Sequence, residues 1–340
     1  ERPGRWVAEE YGATSHIPYR TLHLTNVGLS DGSGPLKATV NSAQDCGAEA
    51  GEYCAIWLGP EMPGDQRIDD MHSAIFDSAL AEEDVDIFGA PRLTLRVASD
   101  KPQAQIAVRL NHLHPDGAAT RITYGVLNLS HRDDPATPAP LTPNETVRVV
   151  LTMDHIAYRL PKGHKLRVSV SSAYWPLIWP APEAATLTLS GGTVNLPVRR
   201  TARRAEHVFE PPDAAEPWQT ETLRAASSTR RREVDMATGV VSLVIEDDFG
   251  KQRDLDHGLA GGAVARERWD IHPDDPLSAR GRCHWTDEIE RDDISLRTET
   301  RSEMWSDATH FHLTARLEAY ENDKLIYARD VEDKVPRDHI

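Results

Sequence analysis

The sequence predicts an all-β protein, in which a β-sandwich of the jelly-roll kind is followed by a second antiparallel β domain. Three observations support this fold class. Short runs of alternating apolar and polar residues recur through the first two hundred positions, turn sequences separate them, and helical periodicity is scarce. Many short strands joined by turns favour a sandwich or a jelly roll over a helical or mixed fold.

Seven strands are expected in the first part of the chain. The segments between them have turn chemistry, as in Ser99–Pro102, His114–Gly117 and Pro161–His164. One segment near Asp84 lacks helix breakers and is compatible with a short helix. The expected strands are Thr21–Leu24, Leu93–Val97, Ile106–Leu110, Ile122–Leu127, Val147–Leu151, Leu166–Val170 and Thr186–Leu189.

A change of composition near residue 200 predicts a domain boundary. Residues 1–200 are expected to form the jelly roll, residues 201–215 a Pro-rich, charged linker, and residues 216–340 the second domain. Apolar and polar residues alternate from His310 to Ala319, which is typical of an antiparallel meander with one solvated face. The strands expected here are Val240–Ile245, Ala263–Ile271, Cys283–Ile289, Ile294–Met304, Thr309–Ala319 and Leu325–Val331.

Length and charge limit the functional classes. A chain of 340 residues favours two domains, and a net charge of −16 disfavours nucleic acid as a partner, because phosphate backbones are repelled. No apolar run approaches the roughly 20 residues that span a bilayer, so no membrane is expected as a partner. The chain starts at Glu1 without a signal peptide, which suggests a piece of a longer protein.

Cysteine usage favours a cytoplasmic location. Three cysteines, Cys46, Cys54 and Cys283, are too few for a disulfide framework. Cys46 and Cys54 lie in one Gly-rich loop, and the sequence leaves open whether they form a disulfide.

A loop with two Trp-Pro pairs, Trp175-Pro176 and Trp179-Pro180, follows the expected strand Leu166–Val170. Proline cannot donate to a strand ladder, so the strand must end and the chain must leave the sheet. The rings then either pack against another part of the protein or contact a substrate. The candidate binding or interface residues are Tyr174, Trp175, Trp179 and, from another loop, Trp57.

No catalytic residue is assigned from motifs. The segment Gly28–Gly32 has the letters of the G-x-S-x-G nucleophile elbow, in which a helix must follow the serine. Here Ser30 is followed by Ser33-Gly34-Pro35, a turn that does not open a helix.

Metal-binding patterns are incomplete. His112 and His114, and likewise His310 and His312, have the spacing that puts two rings on one strand face, but no third ligand is evident nearby. His164 is expected to form hydrogen bonds at a turn. Acidic pairs are present without EF-hand spacing. Neither a metal nor another cofactor is therefore expected.

Several segments resemble, in order, the C-terminal domain of the CocE/NonD hydrolases, which are related to the X-prolyl dipeptidyl-peptidases. They are Asp86–Asp100, Val108–Leu110, Pro115–Gly117, Gly125–Arg132 and Leu160–Ser171. The Trp-Pro loop, Ile271–Ala279 and Val335–Asp338 resemble longer bacterial members. One departure is Asn111, where family members commonly have an acidic residue.

The resemblance implies a galactose-binding-like jelly roll and a specific role. In this family a Ser-Asp-His triad lies on an upstream α/β-hydrolase domain, so no catalytic residue is carried over to this chain. The expected function is that of the non-catalytic C-terminal part of a serine hydrolase that cleaves an ester or an X-Pro amide. This part would pack on the upstream domain and shape its cleft, and the resemblance leaves open a further role in homo-oligomerisation.

Two alternatives remain open from the sequence. A stand-alone carbohydrate-binding β-sandwich would use Trp57, Trp175 and Trp179 as a stacking platform. A self-contained glycosidase would need two carboxyl groups about 5–10 Å apart in a cleft.

Overall fold

The structure, a computed structural model, describes residues 4, 6–7, 17–55, 59–199 and 209–340. In these ranges the chain is nearly all antiparallel β-sheet, with one short helix, α1 (Arg67–Asp70), and 3-10 turns at Gly59–Glu61 and Leu129–His131. No helix among the described residues is long and apolar enough to cross a membrane. The predicted all-β fold class is confirmed.

Twelve strands are described before residue 200. They are β1 (Tyr19–Thr25), β2 (Gly28–Ser30), β3 (Ala38–Val40), β4 (Ala74–Asp77), β5 (Val85–Gly89), β6 (Arg92–Ser99), β7 (Gln105–Leu113), β8 (Ala119–Asn128), β9 (Val147–Thr152), β10 (Ile156–Leu160), β11 (Lys165–Ser171) and β12 (Leu187–Pro197). All seven strands expected in this part have a counterpart, although β12 is longer than expected and begins one residue later.

These strands form a sandwich of two sheets. One sheet has the order β2-β1-β12-β6-β9, with β3 also paired to β12; the other has the order β4-β11-β7-β8. Inward-facing residues of both sheets, such as Leu95 and Leu187 from the first and Val108 and Val168 from the second, share one hydrophobic core. The period of two that predicted the strands is thus the alternation between this core and the outer surfaces.

A small third sheet, β5 paired with β10, corrects one prediction. The short helix that the sequence allows near Asp84 does not form, because the chain there runs without helix into β5. The Asp84 carboxylate instead accepts a hydrogen bond from the backbone N–H of Lys162, at 2.9 Å. Pairing with β10 outweighs the weak local helix propensity of this segment.

Eight strands after residue 216 form a separate long sheet. They are β13 (Thr220–Arg224), β14 (Ser227–Val234), β15 (Val241–Asp254), β16 (Ala260–His272), β17 (Asp275–Arg291), β18 (Ile294–Ser306), β19 (His310–Glu321) and β20 (Lys324–Pro336). From β15 to β20 each strand pairs antiparallel with the next, and β13 and β14 both pair with β15. The expected antiparallel meander is confirmed.

The predicted linker is described in part. Residues 200–208 lie outside the described residues, and residues 209–219 are exposed and have no regular structure. Phe209 contacts Trp6 edge to face, with ring centroids 5.3 Å apart. The division into residues 1–200, 201–215 and 216–340 stays a prediction.

Candidate functional site

The candidate site is the loop that follows β11, in which the Trp175-Pro176 peptide bond is cis. The backbone N–H of Trp175 donates to the carbonyl of Cys46 at 2.7 Å, and that of Ile178 donates to the carbonyl of Tyr174 at 2.9 Å. The first of these hydrogen bonds attaches the backbone of the loop to the segment around Cys46.

Gly47 makes this close approach possible. It has φ = +115°, and a Cβ there would lie 2.5 Å from the carbonyl oxygen of Trp175. Its N–H donates to the buried Asp69 carboxylate at 3.0 Å. Burial raises the pKa of Asp69, and the Arg109 guanidinium, which is fully buried beside it, opposes that shift. A left-handed glycine backed by a buried charge thus positions the aromatic loop.

The Trp175 ring lies between the sandwich and the long sheet. It is 3% exposed and packs with Ile271 and Ala279, which come from β16 and β17. Its ring centroid is 6.0 Å from that of Trp269 and 5.2 Å from that of Trp179. The 74° angle between Trp175 and Trp179, and the burial of Trp175, do not suit a flat platform for stacking sugar rings.

Trp179 continues this contact toward the end of the long sheet. Its indole N–H donates to the Ser306 hydroxyl at 3.0 Å, and its ring meets Phe311 edge to face. Arg337, which is almost fully buried, donates to the Pro180 carbonyl and to Ser306, and its guanidinium lies over the Phe311 ring. Burial lowers the pKa of Arg337 to about 10, so it remains charged at neutral pH.

Ion pairs add a second contact between the same two parts. Arg230 and Arg232 of β14 reach Glu52 and Asp45 of the sandwich at 2.9 and 2.7 Å. The backbone N–H of Gln44 also donates to the Pro273 carbonyl. Aromatic, ionic and backbone contacts together form what we call the sandwich–sheet joint.

Tyr174 has a different environment from its neighbour Trp175. It packs with Ala50 and Ala107 inside the first part of the chain, and its hydroxyl accepts a hydrogen bond from Arg121 at 2.8 Å. Burial raises the pKa of Tyr174 to about 12. A cavity of about 270 Å³ borders Tyr174 and Trp179.

The remaining sequence candidates do not join this site. Trp57 lies outside the described residues. Ser30 ends β2, and its hydroxyl accepts from the N–H of Gly32; a bend and coil follow instead of a helix. Cys46 and Cys54 are both unpaired, Cys46 buried and Cys54 exposed.

A histidine cluster lies at another place in the sandwich, and the sequence reasoning missed it. The expectation that no third ligand stands near His112 and His114 is wrong, because one ring nitrogen from each of these residues and from His164 lies within 4.8 Å of the others. The His164 ring therefore contacts the His112 ring, which lies 52 positions earlier in the sequence. The position of His164 in the turn before β11 was the sequence signal that could have identified it as the third histidine, because β11 pairs with β7.

The long sheet presents an apolar face beside the joint. The cross-strand register places Cys283, Ser302, Ala315 and Val331 in one row on this face. A cavity of about 950 Å³ lies over that row, lined also by Ile245 and Glu267. Val331 and the flanking apolar residues on the same face are partly exposed; the flanking residues are Trp285, Ile289, Leu296, Leu313 and Tyr327.

Comparison with known proteins bears on the first two thirds of the chain. A family model described as the X-Pro dipeptidyl-peptidase C-terminal non-catalytic domain matches residues 1–220. The match thus includes the sandwich and the Trp175–Trp179 loop and ends where the long sheet begins.

The solved structures to which parts of the chain are similar include three hydrolytic enzymes. An α-amino acid ester hydrolase is 19% identical, with a TM-score of 0.47 over 53% of this chain and 36% of that one. An aminopeptidase from a marine sediment archaeon, Thaumarchaeota archaeon, is 15% identical, with a TM-score of 0.46 over 54% of this chain and 37% of that one. A CocE/NonD family hydrolase from Staphylococcus aureus is 15% identical, with a TM-score of 0.40 over 53% and 36%.

The aligned region therefore spans little more than a third of the length of those enzymes. Among curated proteins, no match to the chain was found.

Proposed function

The chain belongs to the family of X-Pro dipeptidyl-peptidase C-terminal non-catalytic domains, and from this premise we propose that it is the non-catalytic C-terminal part of a serine hydrolase. Its partner is an α/β-hydrolase domain upstream in the same parent protein. That domain carries the nucleophile, general base and oxyanion hole for hydrolysis of an ester or an X-Pro amide. The observation that carries the proposal is the family match over residues 1–220.

The role of this part is to pack on the hydrolase domain and complete the walls of its cleft. The joint supports this role, because Trp175, Trp179 and Arg337 hold the sandwich and the long sheet against each other. A fixed arrangement of two β units provides a larger rigid surface than either unit alone. Such rigidity contributes to catalysis because it holds the walls that position the substrate to within fractions of an ångström.

The apolar face of the long sheet is the surface proposed to contact the hydrolase domain. It is continuous with the joint, since Trp269 and Phe311 lie on the same face as Ala315 and Val331 by register. Contiguous exposed apolar surface on a soluble domain marks an interaction site. Glu267, Asp287 and Arg329 share this face by register, but apolar residues predominate on it, and such a surface suits contact with another domain.

A pair of matched substitutions tests this contact. Val331→Glu places a charge on the apolar face, and Val150→Glu places the same charge on β9 of the sandwich; the two valines are 46% and 51% exposed. The hydrolase domain of the parent is produced separately, and its association with each variant is measured by sedimentation velocity.

Val331→Glu is expected to weaken association, whereas Val150→Glu is expected to leave it unchanged. Equal association of both variants with the hydrolase domain would contradict the proposed surface. Loss of self-association in Val331→Glu, with normal binding of the hydrolase domain, would assign the face to a second copy of the chain instead.

A further inference from the structure

Three histidines that are distant in sequence converge on one face of the β4-β11-β7-β8 sheet. His112 lies on β7, His114 opens the turn between β7 and β8, and His164 ends the turn that precedes β11. Strands β7 and β11 pair with Lys165 opposite Leu113 and Leu166 opposite His112. Continuing this register sets His164 opposite His114, so all three side chains point to the same side.

The backbone around the cluster is well supported. β7 and β11 are the two central strands of their sheet. The His164 carbonyl accepts from the N–H of Ala81 at 2.8 Å, and the His164 N–H donates to the carbonyl of Pro161. The His114 N–H donates to the carbonyl of Ala118. Each histidine is thus held at its Cα by strand pairing or by turn hydrogen bonds.

The imidazole nitrogens are close together. Nε2 of His112 and Nδ1 of His164 are 2.5 Å apart, and one nitrogen from each of the three rings lies within 4.8 Å of the others. In a tetrahedral zinc site with Zn–N bonds of 2.0–2.1 Å, two ligand nitrogens are about 3.4 Å apart. The separation between His112 and His164 is shorter than this value, so these two rings must move apart by about 1 Å to admit an ion.

Contacts outside the cluster orient the rings. The other nitrogen of His112, Nδ1, is 2.8 Å from the Tyr158 hydroxyl, which directs Nε2 toward His164. Nε2 of His114 is 3.0 Å from the Thr120 hydroxyl. Hydrogen bonds to the second nitrogen of a ligating histidine are a regular feature of metal sites, because they fix the tautomer and the ring orientation.

From this geometry we infer that His112, His114 and His164 bind a zinc ion in the sandwich. Three neutral imidazoles without a carboxylate select a borderline metal such as zinc over calcium or magnesium, which take oxygen ligands. The His112 ring is almost fully buried, whereas His114 and His164 are partly exposed, so the fourth position opens toward solvent and takes water. His112 itself is paired on both sides, opposite Leu166 of β11 and Thr120 of β8.

One ring must turn for the ion to bind. The His114 ring stacks on the His112 ring at 4.0 Å with an angle of 8° between their planes. Because a lone pair lies in the plane of its ring, two parallel rings do not direct both lone pairs at one ion. Rotation of His114 about its Cβ–Cγ bond aligns it, and that torsion is broad in histidine.

Metal binding by the purified full chain tests the inference. After dialysis against a chelator, the chain is equilibrated with zinc alone, bound zinc is measured by mass spectrometry, and cobalt is used in parallel for its visible absorption. A Cys54→Ser background removes the exposed thiol as a competing ligand. One zinc per chain is expected. Cobalt should give the visible absorption of a four-coordinate site, and added zinc should raise the midpoint temperature of thermal unfolding.

Variants distinguish this site from incidental binding. His114→Ala and His164→Ala are each expected to abolish stoichiometric zinc binding and the zinc-dependent rise in thermal midpoint. Tyr158→Phe, which removes the hydroxyl contact of His112, is expected to weaken zinc affinity about 10–100-fold. The control is His310→Ala with His312→Ala, since this pair has the same spacing and His312 contacts Asp307 instead of a third histidine.

The control variant is expected to bind zinc like the unmodified chain. Circular dichroism before metal is added identifies any variant that fails to fold. Absence of stoichiometric zinc in the folded unmodified chain would overturn the inference. So would zinc binding that persists in His114→Ala combined with His164→Ala.

Discussion

At the residue scale, adjacent side chains of one loop have opposite roles. Tyr174 packs inside the sandwich and accepts from Arg121, whereas Trp175 reaches the long sheet. The sequence indicated that the chain leaves the sheet here, because proline ends the ladder. Which ring faces which partner depends on the close approach of Gly47, a contact made 128 positions earlier in the sequence that no local pattern records.

Removal of the Trp175 ring should cost much of the stability of the chain. Trp175→Ala leaves a cavity between buried surfaces, and substitutions of this kind typically cost about 3–5 kcal/mol. Trp6→Ala is the matched control, because its ring is 75% exposed, and the expected change there is within about 0.5 kcal/mol. Urea unfolding followed by circular dichroism measures both. Similar losses in the two variants would contradict a specific role for Trp175.

The three thiols should react at very different rates. Burial raises the pKa of Cys46 to about 12, so its thiolate is scarce at pH 8, and the same burial blocks reagent access. Cys54 is exposed and should react first with a thiol reagent; half-buried Cys283 has a raised pKa and should react more slowly. Peptide mass mapping after timed labelling at pH 8 measures the order. Fast labelling of Cys46 in the folded chain, or a disulfide between Cys46 and Cys54, would contradict the structure.

At the element scale, the long strands were predictable and the short or charged ones were not. Alternation predicted β6, β7 and the meander strands, in which apolar residues repeat over five or more positions. β2 and β3 have three residues each, too few to show a period, and β14 carries Arg230, Arg231 and Arg232 in succession. β14 forms because it pairs with β15 and because two of its arginines meet acidic residues of the sandwich.

The same reasoning explains why the histidine cluster was missed. Its spacing on β7 was visible, but the third ring comes from a turn before β11, and strand order within a sheet does not follow from alternation. The apolar face of β19 was visible too. The partial exposure of that face could not be predicted, because periodicity shows which residues share a face and does not show what covers it.

Within the joint, the aromatic contacts should outweigh the ion pairs. A buried Trp side chain removes about 150–250 Å² from water, which corresponds to roughly 4–6 kcal/mol at about 25 cal/mol per Å². Part of this area is buried against the sandwich itself and not against the long sheet. A partly exposed pair such as Arg232–Asp45 contributes about 0–1 kcal/mol. The rings of Trp175 and Trp179 are therefore the main contact between the two parts.

Cleavage between the two parts should not separate them. A protease recognition sequence inserted after Arg204, within the segment outside the described residues, allows the chain to be cut once. The two fragments are expected to co-elute on size exclusion, and Trp175→Ala with Trp179→Ala is expected to let them elute separately. Arg231→Met, on the exposed side of β14, serves as the control and should still co-elute. Separation of the unmodified fragments would show that the joint is too weak for the proposed role.

At the scale of the whole molecule, the features fit a part that acts on another domain. The chain has a family identity as a non-catalytic domain, an internal joint that fixes two β units, and an exposed apolar face next to that joint. The serine in the elbow-like sequence, Ser30, ends a strand and is followed by coil rather than by a helix. Each of these features is expected if the catalytic groups belong to the hydrolase domain of the parent.

The most direct test is the turnover of p-nitrophenyl acetate and of an X-Pro chromogenic amide by three samples: this chain, the separately produced hydrolase domain of the parent, and their mixture. The account predicts no turnover above the buffer rate for the chain alone, and a higher kcat/KM for the mixture than for the hydrolase domain alone. Turnover by the chain alone that disappears in Ser30→Ala would contradict the non-catalytic assignment, and a mixture no more active than the hydrolase domain would contradict the proposed shaping of its cleft.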